Sequence, residues 1–300
     1  MRILLLGANG QVGWELQRSL MPLGQLKSCD RYTANLEDLA GLQKIIREYE
    51  PNIIVNAAAY TSVDKAESEK KKAYCINYEA VAFLAEESKN INAWLIHYSS
   101  DYIFDGKKIG AYTEFDEPNP LSVYGMSKLK GEKSIIKSGC KYMIFRTSWV
   151  YSTRGNNFVR TMIRLGKEQS NMRIVSDQIG APTSAELIAD ISAICLRNAL
   201  YDKCSKKNKS GIYHLSPKGK TSWYCLAKHI IEELTKVGDT FCVNLEDIYP
   251  INTAEYPVLA KRPHNSLLET QKIQSMFNVY LPHWKIVLSK TLQDIYPHKI

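Results

Sequence analysis

Four residues in the first half of the chain have the types and spacing for carbonyl chemistry. Tyr124 and Lys128 stand four apart in Tyr-Gly-Met-Ser-Lys, a spacing that puts both on one face of a helix. An ammonium beside a phenol favours the phenolate, which lowers the tyrosine pKa from its ordinary value near ~10 toward working pH. A phenol tuned in this way can hand its proton to a carbonyl oxygen while hydride arrives at the carbon. Ser100 and Asp101 end the segment Tyr98-Ser99-Ser100-Asp101, where Ser100 can hydrogen-bond both the reacting oxygen and Tyr124. Tyr-x-x-x-Lys alone is common by chance. Its weight comes from the polar strand end that precedes it, because open α/β sheets bind ligands at the carboxyl ends of their strands.

Hydride chemistry calls for a dinucleotide, and the first residues offer a place for one. Gly7-Ala8-Asn9-Gly10-Gln11-Val12-Gly13 follows an apolar strand and opens a helix. Glycines at Gly7, Gly10 and Gly13 permit a tight turn and close backbone approach to a pyrophosphate, and the helix start offers free N–H groups. The spacing is Gly-x-x-Gly-x-x-Gly, so its specificity lies in the strand–turn–helix context. Asp30 ends the next strand, where a carboxylate would accept from the adenosine ribose. Arg31 follows and could meet a 2′-phosphate. NADH is favoured by the first and NADPH kept open by the second. Ala57-Ala58-Ala59-Tyr60-Thr61 follows the third strand, where small residues let backbone pass close to the cofactor.

The elements that must position these groups alternate. Strands are expected at Arg2 to Leu6, Leu26 to Cys29, Ile53 to Val55, Trp94 to Tyr98 and Tyr142 to Phe145. Helices are expected at 11–20, 39–49, 73–90 and 127–138. Apolar strands alternating with helices predict an α/β fold of Rossmann type, a doubly wound parallel sheet covered on both faces. The dinucleotide domain is assigned to 1–150, with later segments free to return to it, and 151–300 mainly to a smaller, irregular substrate region. Helices at 157–168, 185–199 and 223–235 and a strand at 211–215 are expected there. Lys203 to Ser210 reads as a loop. His97 and Trp284 read as packed core residues, as does Trp223, and Asn77 as a group that could hold a water or backbone near Lys128.

Bulk properties exclude several classes. The 300 residues are 45% hydrophobic and 23% charged, ordinary for a globular protein. No apolar run approaches the ~18 residues of a membrane helix. Seven scattered cysteines without Cys-x-x-Cys argue against a disulfide framework or a zinc site and for a reducing cytoplasm. The net charge of +8 resides in small lysine clusters, which read as solvated surface rather than a nucleic-acid stripe.

The glycine loop, Ser99-Ser100-Asp101 and the Tyr124–Lys128 pair resemble the extended short-chain dehydrogenase/reductases. Further segments narrow the resemblance to the dTDP-4-dehydrorhamnose reductases: 11–16, Val63-Asp64-Lys65-Ala66-Glu67, 146–151, 155–158, Asp177-Gln178-Ile179-Gly180-Ala181-Pro182-Thr183 and Arg262-Pro263-x-x-Ser266. The resemblance implies reduction of a dTDP-sugar C4 ketone with NADH or NADPH. It makes Tyr124 the proton donor, and Lys128 the residue that binds the nicotinamide ribose and tunes Tyr124. It assigns Gly10, Gln11 and Val12 to the pyrophosphate, Asp30 to the ribose, and Asn35 and Leu36 to the adenine. Ala59, Tyr60, Thr61 and Tyr98 would line the cofactor channel, and Ser100, Asp101 and Trp149 would meet the sugar. The family pattern has threonine where this chain has Ser100, so the hydroxyl is kept and a methyl lost. The resemblance also raises a homodimer with structural magnesium at Glu15, Glu186 and Asp294; from the residues alone, three acids so far apart read as surface charges. Two alternatives remain: a different nucleotide-sugar 4-ketoreductase with the same Tyr124–Lys128 pair, and a non-catalytic dinucleotide-binding regulatory subunit, against which the intact Tyr124, Lys128, Ser100 and 146–151 segment argue.

Overall fold

The computed structural model describes residues 1–201 and 208–296; most of the loop expected at Lys203 to Ser210 therefore lies outside the described residues. Six parallel strands form the main sheet: β1 (Arg2–Leu6), β2 (Gln25–Cys29), β3 (Ile53–Asn56), β4 (Trp94–Ser100), β5 (Lys141–Thr147) and β6 (Gly211–His214). Their spatial order is β6-β5-β4-β3-β1-β2. The order reverses direction after β1, which makes the sheet doubly wound and opens a crevice at the carboxyl ends of β1 and β3.

Successive strand residues face opposite sides of a sheet, and in the inner strands both sides are buried. Ile3, Leu5, Val55, Ile96 and Phe145 pack against α1 (Gln11–Leu20), α8 (Ala185–Tyr201) and α10 (Gln271–Phe277). Leu4, Leu6, Ile54, Leu95 and Ile144 pack against α2 (Leu39–Tyr49), α5 (Ala80–Asn90) and α6 (Val123–Ser138). Each such side chain contributes about 1.5–3 kcal/mol by leaving water, which explains strands that read as unbroken apolar runs. A third core joins α7 (Phe158–Glu168), α9 (Trp223–Lys236) and α11 (Trp284–Ile295), with Trp284 buried inside it.

Two helices differ from the sequence expectation in ways that bear on the site. The helix expected over 73–90 is divided into α4 (Lys70–Tyr74), a π-helical turn (Cys75–Glu79) and α5. In front of α4 lies the short α3 (Val63–Ala66). Helix α6 begins four residues earlier than expected because Ser122 caps it, its hydroxyl accepting from Gly125 N–H at 3.2 Å. Glu67 adds a second cap, accepting from Val123 N–H at 2.8 Å. Tyr124 therefore sits in the first turn of the helix. Helices α10 and α11 occupy a stretch expected to be irregular, where Pro250, Pro257, Pro263 and Pro282 obscure the helical spacing.

Helix α6 is fastened to β5 by a buried ion pair. The Glu132 carboxylate accepts from Arg146 Nε at 3.1 and 3.2 Å and from Arg146 Nη2 at 2.7 Å, and both side chains are almost wholly out of water. Removing one partner leaves the other charge buried and uncompensated. Glu132→Gln is expected to cost about 3–5 kcal/mol, read as a lower urea midpoint with an unchanged slope.

Candidate active site

The glycine loop leaves β1 at Leu6. Gly7 adopts φ +82°, and the Gly7 and Ala8 N–H groups donate to the Cys29 carbonyl at 2.9 and 3.0 Å. A Cβ on Gly13 would lie 2.0 Å from the Gly7 oxygen, and one on Gly7 2.6 Å from Ala58 N. These glycines thus let α1, β1 and the β3 loop meet. Helix α1 opens after Gly10 with no side chain capping it, which leaves its first turn, from Gln11 and Val12 onward, open to an anion. The Gln11 side chain turns away and accepts from Ser152 Oγ at 3.1 Å and Asn157 Nδ2 at 2.9 Å.

Asp30 follows β2 on an exposed turn. Its Oδ1 accepts from the Tyr32 and Thr33 N–H groups, each at 3.0 Å, and its Oδ2 from Asn9 Nδ2 at 2.9 Å. These donors, Thr33 foremost, hold the carboxyl below the usual carboxylate range. Arg31 is largely exposed, with Glu37 3.8 Å away. Asn35 Oδ1 accepts from Glu37 N–H at 3.1 Å, and Leu36 is buried in the core under α2. Ala59 is half-buried and Thr61 exposed. Tyr60 is fixed at its backbone: Asn77 Oδ1 accepts from its N–H at 2.9 Å and Asn77 Nδ2 donates to its carbonyl at 3.0 Å. Asn77 also donates to Ser127 Oγ at 3.0 Å. The π-helical turn thus makes Asn77 a backbone holder that ties the β3 loop to α6.

Tyr98, Ser100, Asp101, Tyr124 and Lys128 converge at the carboxyl end of β4. Lys128 is 1% exposed. Its Nζ donates to the Tyr98 carbonyl at 2.6 Å and lies 3.3 Å from His97 Nε2. Burial brings its pKa down to about 8, against an upward pull from Glu132. Tyr98 offers this site its carbonyl, while its hydroxyl donates to Ser192 on α8 at 2.9 Å. His97, buried and expected as core, is also a polar neighbour of Lys128, with Asn56 Nδ2 3.3 Å from its other ring nitrogen.

The Tyr124 phenol is packed edge-to-face on Tyr102, with ring centroids 5.7 Å apart. Its pKa is pushed up to about 12 by burial, opposed by a hydrogen bond with Ser100. This corrects the expectation that Lys128 lowers it: the ammonium is turned to the Tyr98 carbonyl, and desolvation of the phenolate dominates. Ser100 Oγ donates to Asp101 Oδ1 at 2.8 Å. The Asp101 carboxyl is pushed up to about 6 by burial, against the Ser266 and Ser100 hydroxyls.

Trp149 follows β5 with φ +48°, an uncommon conformation for a bulky residue. It is held from both sides. Its indole stacks on Trp223 with centroids 3.5 Å apart, and a Cβ on Gly180 would lie 2.5 Å from its ring. Trp223 Nε1 donates to Gln178 Oε1 at 3.1 Å. Trp223 packs against the third core, as expected, and is also the stacking partner of Trp149. Tyr102 and Gly180 carried no role from the sequence, and Trp223 only a core one; of these, only the Gly180 segment carried a functional signal.

The three acids that the resemblance offered for magnesium at a dimer interface come together within one chain. Glu15, Glu186 and Asp294 line one cavity of about 230 Å³, but among the described residues no three acids, histidines or cysteines converge closely enough to hold a metal ion. Glu186 accepts instead from Lys290 Nζ at 2.8 Å, with Arg18 3.8 Å away. Burial first, and then the like charge of Glu186, raises the Glu15 pKa.

Comparison with known proteins agrees over nearly the whole chain. The family model of the RmlD substrate binding domain matches residues 1–296. A dTDP-4-dehydrorhamnose reductase of Escherichia coli (strain K12) is 45% identical over 300 residues, covering 99% of this chain and 98% of that protein. One from Burkholderia thailandensis is 43% identical over 295 residues, covering 98% and 99%. Among solved structures, a dTDP-4-dehydrorhamnose reductase from Bacillus anthracis in complex with NADP superposes with a TM-score of 0.87 at 35% identity, covering 98% of this chain and 99% of that one.

The burial of Lys128 has a consequence for stability. Its pKa is about 8 in the folded chain and an ordinary 10.5 when unfolded. As pH falls from 10.5 to 8 the unfolded chain takes up a proton that the native one refuses, so stability declines and the penalty is complete below 8. Lys128→Met is therefore expected to be more stable than wild type at pH 7 by up to about 3 kcal/mol, less what the lost hydrogen bond to the Tyr98 carbonyl contributes. The gain should fade as pH rises from 8 to 10.5; urea titrations at both ends of that range check it, and a pH-independent difference counts against it.

Proposed function

The chain belongs to the RmlD substrate binding domain family, and from that premise we propose that it reduces the C4 ketone of dTDP-4-dehydro-L-rhamnose to dTDP-L-rhamnose, with Tyr124 as proton donor. The chain is an NAD(P)H-dependent oxidoreductase, as its named relatives and the NADP-bound structural relative indicate. The observation that carries the finer reading is the meeting of the Tyr124 phenol, the Ser100 hydroxyl and the buried Lys128 at one strand end.

The residues at the crevice fit a dinucleotide. The uncapped start of α1 suits a pyrophosphate, and Asp30 lies where ribose hydroxyls would reach it. When bound, the nicotinamide supplies the hydride. Ser100 holds the ketone oxygen and aligns it with Tyr124, whose Oη–H gives up its proton as that oxygen gains charge. Lys128, mostly charged at neutral pH with its pKa near 8, would hold the nicotinamide ribose beside the phenol. Asp101 and Trp149 orient the sugar. Holding donor, carbonyl and acid together supplies much of the rate. The high pKa of Tyr124 keeps the phenol protonated and ready across the physiological range.

Oxidation of NADH and of NADPH with enzymatically prepared dTDP-4-dehydro-L-rhamnose tests the proposal, and the ratio of the two rates gives the cofactor preference. Tyr124→Phe is expected to lower kcat by roughly a hundred- to ten-thousandfold while cofactor binding persists. Folded wild type that binds cofactor and leaves the keto-sugar unreduced would exclude this function. An NMR spectrum of the product separates dTDP-L-rhamnose from its C4 epimer.

A further inference from the structure

Two segments that carry the family resemblance have no part in the chemistry above: Val63 to Glu67 and Arg262 to Ser266. The fold brings them together across 198 positions of sequence. Arg262 Nη2 donates to Asp64 Oδ2 at 2.6 Å, and the Ala260 N–H donates to Asp64 Oδ1 at 3.2 Å. One carboxylate thus holds a guanidinium and a backbone amide of the later segment, as charge-assisted bonds.

Each segment also touches the proposed active site. From the first, Glu67 caps the helix that carries Tyr124. From the second, the Ser266 hydroxyl faces the Asp101 carboxyl, while its N–H donates to the Ile179 carbonyl at 2.8 Å. Between Arg262 and Ser266, Pro263 and His264 press on the turn that follows Asp101. A Cβ on Gly106 would lie 2.6 Å from both the His264 nitrogen and Pro263 Cβ. Tyr102, the ring packed on Tyr124, feels the charges of both Arg262 and Asp64.

We propose that the Asp64–Arg262 pair is a clasp that holds the 260–266 segment as a wall of the keto-sugar pocket, which makes both residues positioning residues for the sugar and not for the cofactor. This rests on the reductase reading of the same site. The pair is partly exposed, with Asp64 at 38% and Arg262 at 25% side-chain exposure. Ion pairs in such settings add little to global stability, so loss of this one is felt in placement.

Arg262→Met and Asp64→Asn, Arg262→Lys, and the exchange Asp64→Arg with Arg262→Asp form the test. Arg262→Met and Asp64→Asn should lower kcat/KM for the keto-sugar about ten- to a hundredfold, as small displacements of a pocket wall do, chiefly through KM. The NADPH dissociation constant and the urea midpoint should stay near wild type. Arg262→Lys should retain most of the sugar affinity, and the exchanged pair should recover part of it. An unchanged KM for the sugar, an equal loss of NADPH affinity, or an exchange no better than either single variant overturns the clasp. Wild type that fails to reduce the keto-sugar removes the reductase reading. Hydrogen exchange then decides the clasp separately: Arg262→Met should speed exchange in the 260–266 peptide and leave α6 unchanged, and an unaltered 260–266 peptide overturns it.

Discussion

Glu132 stands one helical turn beyond Lys128 and yet gives both its oxygens to Arg146. The rest of the site depends on that allocation. Had the carboxylate bent back, Lys128 would carry an ordinary, well-paired ammonium. Instead the lysine is buried with a carbonyl and an imidazole as its polar neighbours, and burial lowers its pKa. The same pair locks α6 against β5, so Tyr124, one turn before Lys128, is held at the end of β4 beside Ser100. Arg146 also lies over the Phe104 ring, 5.4 Å from its centroid. The ion pair therefore anchors the loop after β4 as well as the helix.

The second half of the chain completes this arrangement from the far side. Strand β6 extends the sheet beside β5, and α8 and α10 cover one of its faces. Gln11 in the glycine turn is tied to Ser152 and Asn157, while Trp149 is held by Gly180 and Trp223. The crevice formed by the strand order is thus bounded on one side by the β1 and β3 turns and on the other by segments from the later chain. Short parallel strand pairs, Val150–Tyr151 with Thr183–Ser184 and Met172–Val175 with Ile248–Ile251, tie those later segments to one another.

The sheet was legible because its inner strands are apolar on both faces and its turns carry glycine or a polar cap; the edge strand β2, Gln25–Cys29, is largely polar. The Tyr124–Lys128 pair and Ser100 were legible because fixed spacing on a helix and the end of a strand are local properties. The direction of the Tyr124 pKa was not, since it depends on how deeply the ring is buried and on which way Lys128 turns. The π-helical turn was hidden by continuous helical spacing from Ala73 to Asn90. Trp223 resembled a core residue in sequence; its stacking on Trp149 comes from contacts 74 positions apart. Glu15, Glu186 and Asp294 do meet around one cavity, but Lys290 and Arg18 are there too, and no pattern of acids alone reveals its counter-ions.

Gly180 leaves no room for a side chain while Trp149 occupies its place, and Trp149 keeps its unusual backbone while Gly180 and Trp223 enclose it. Positions 149 and 180 are therefore one inheritable unit. A lineage that replaced the glycine first would push the indole off Trp223, and one that shrank the indole first would open a void against bare backbone. New packings at these two positions are reached through paired changes, and an intermediate with only one of them carries a displaced indole or a hole.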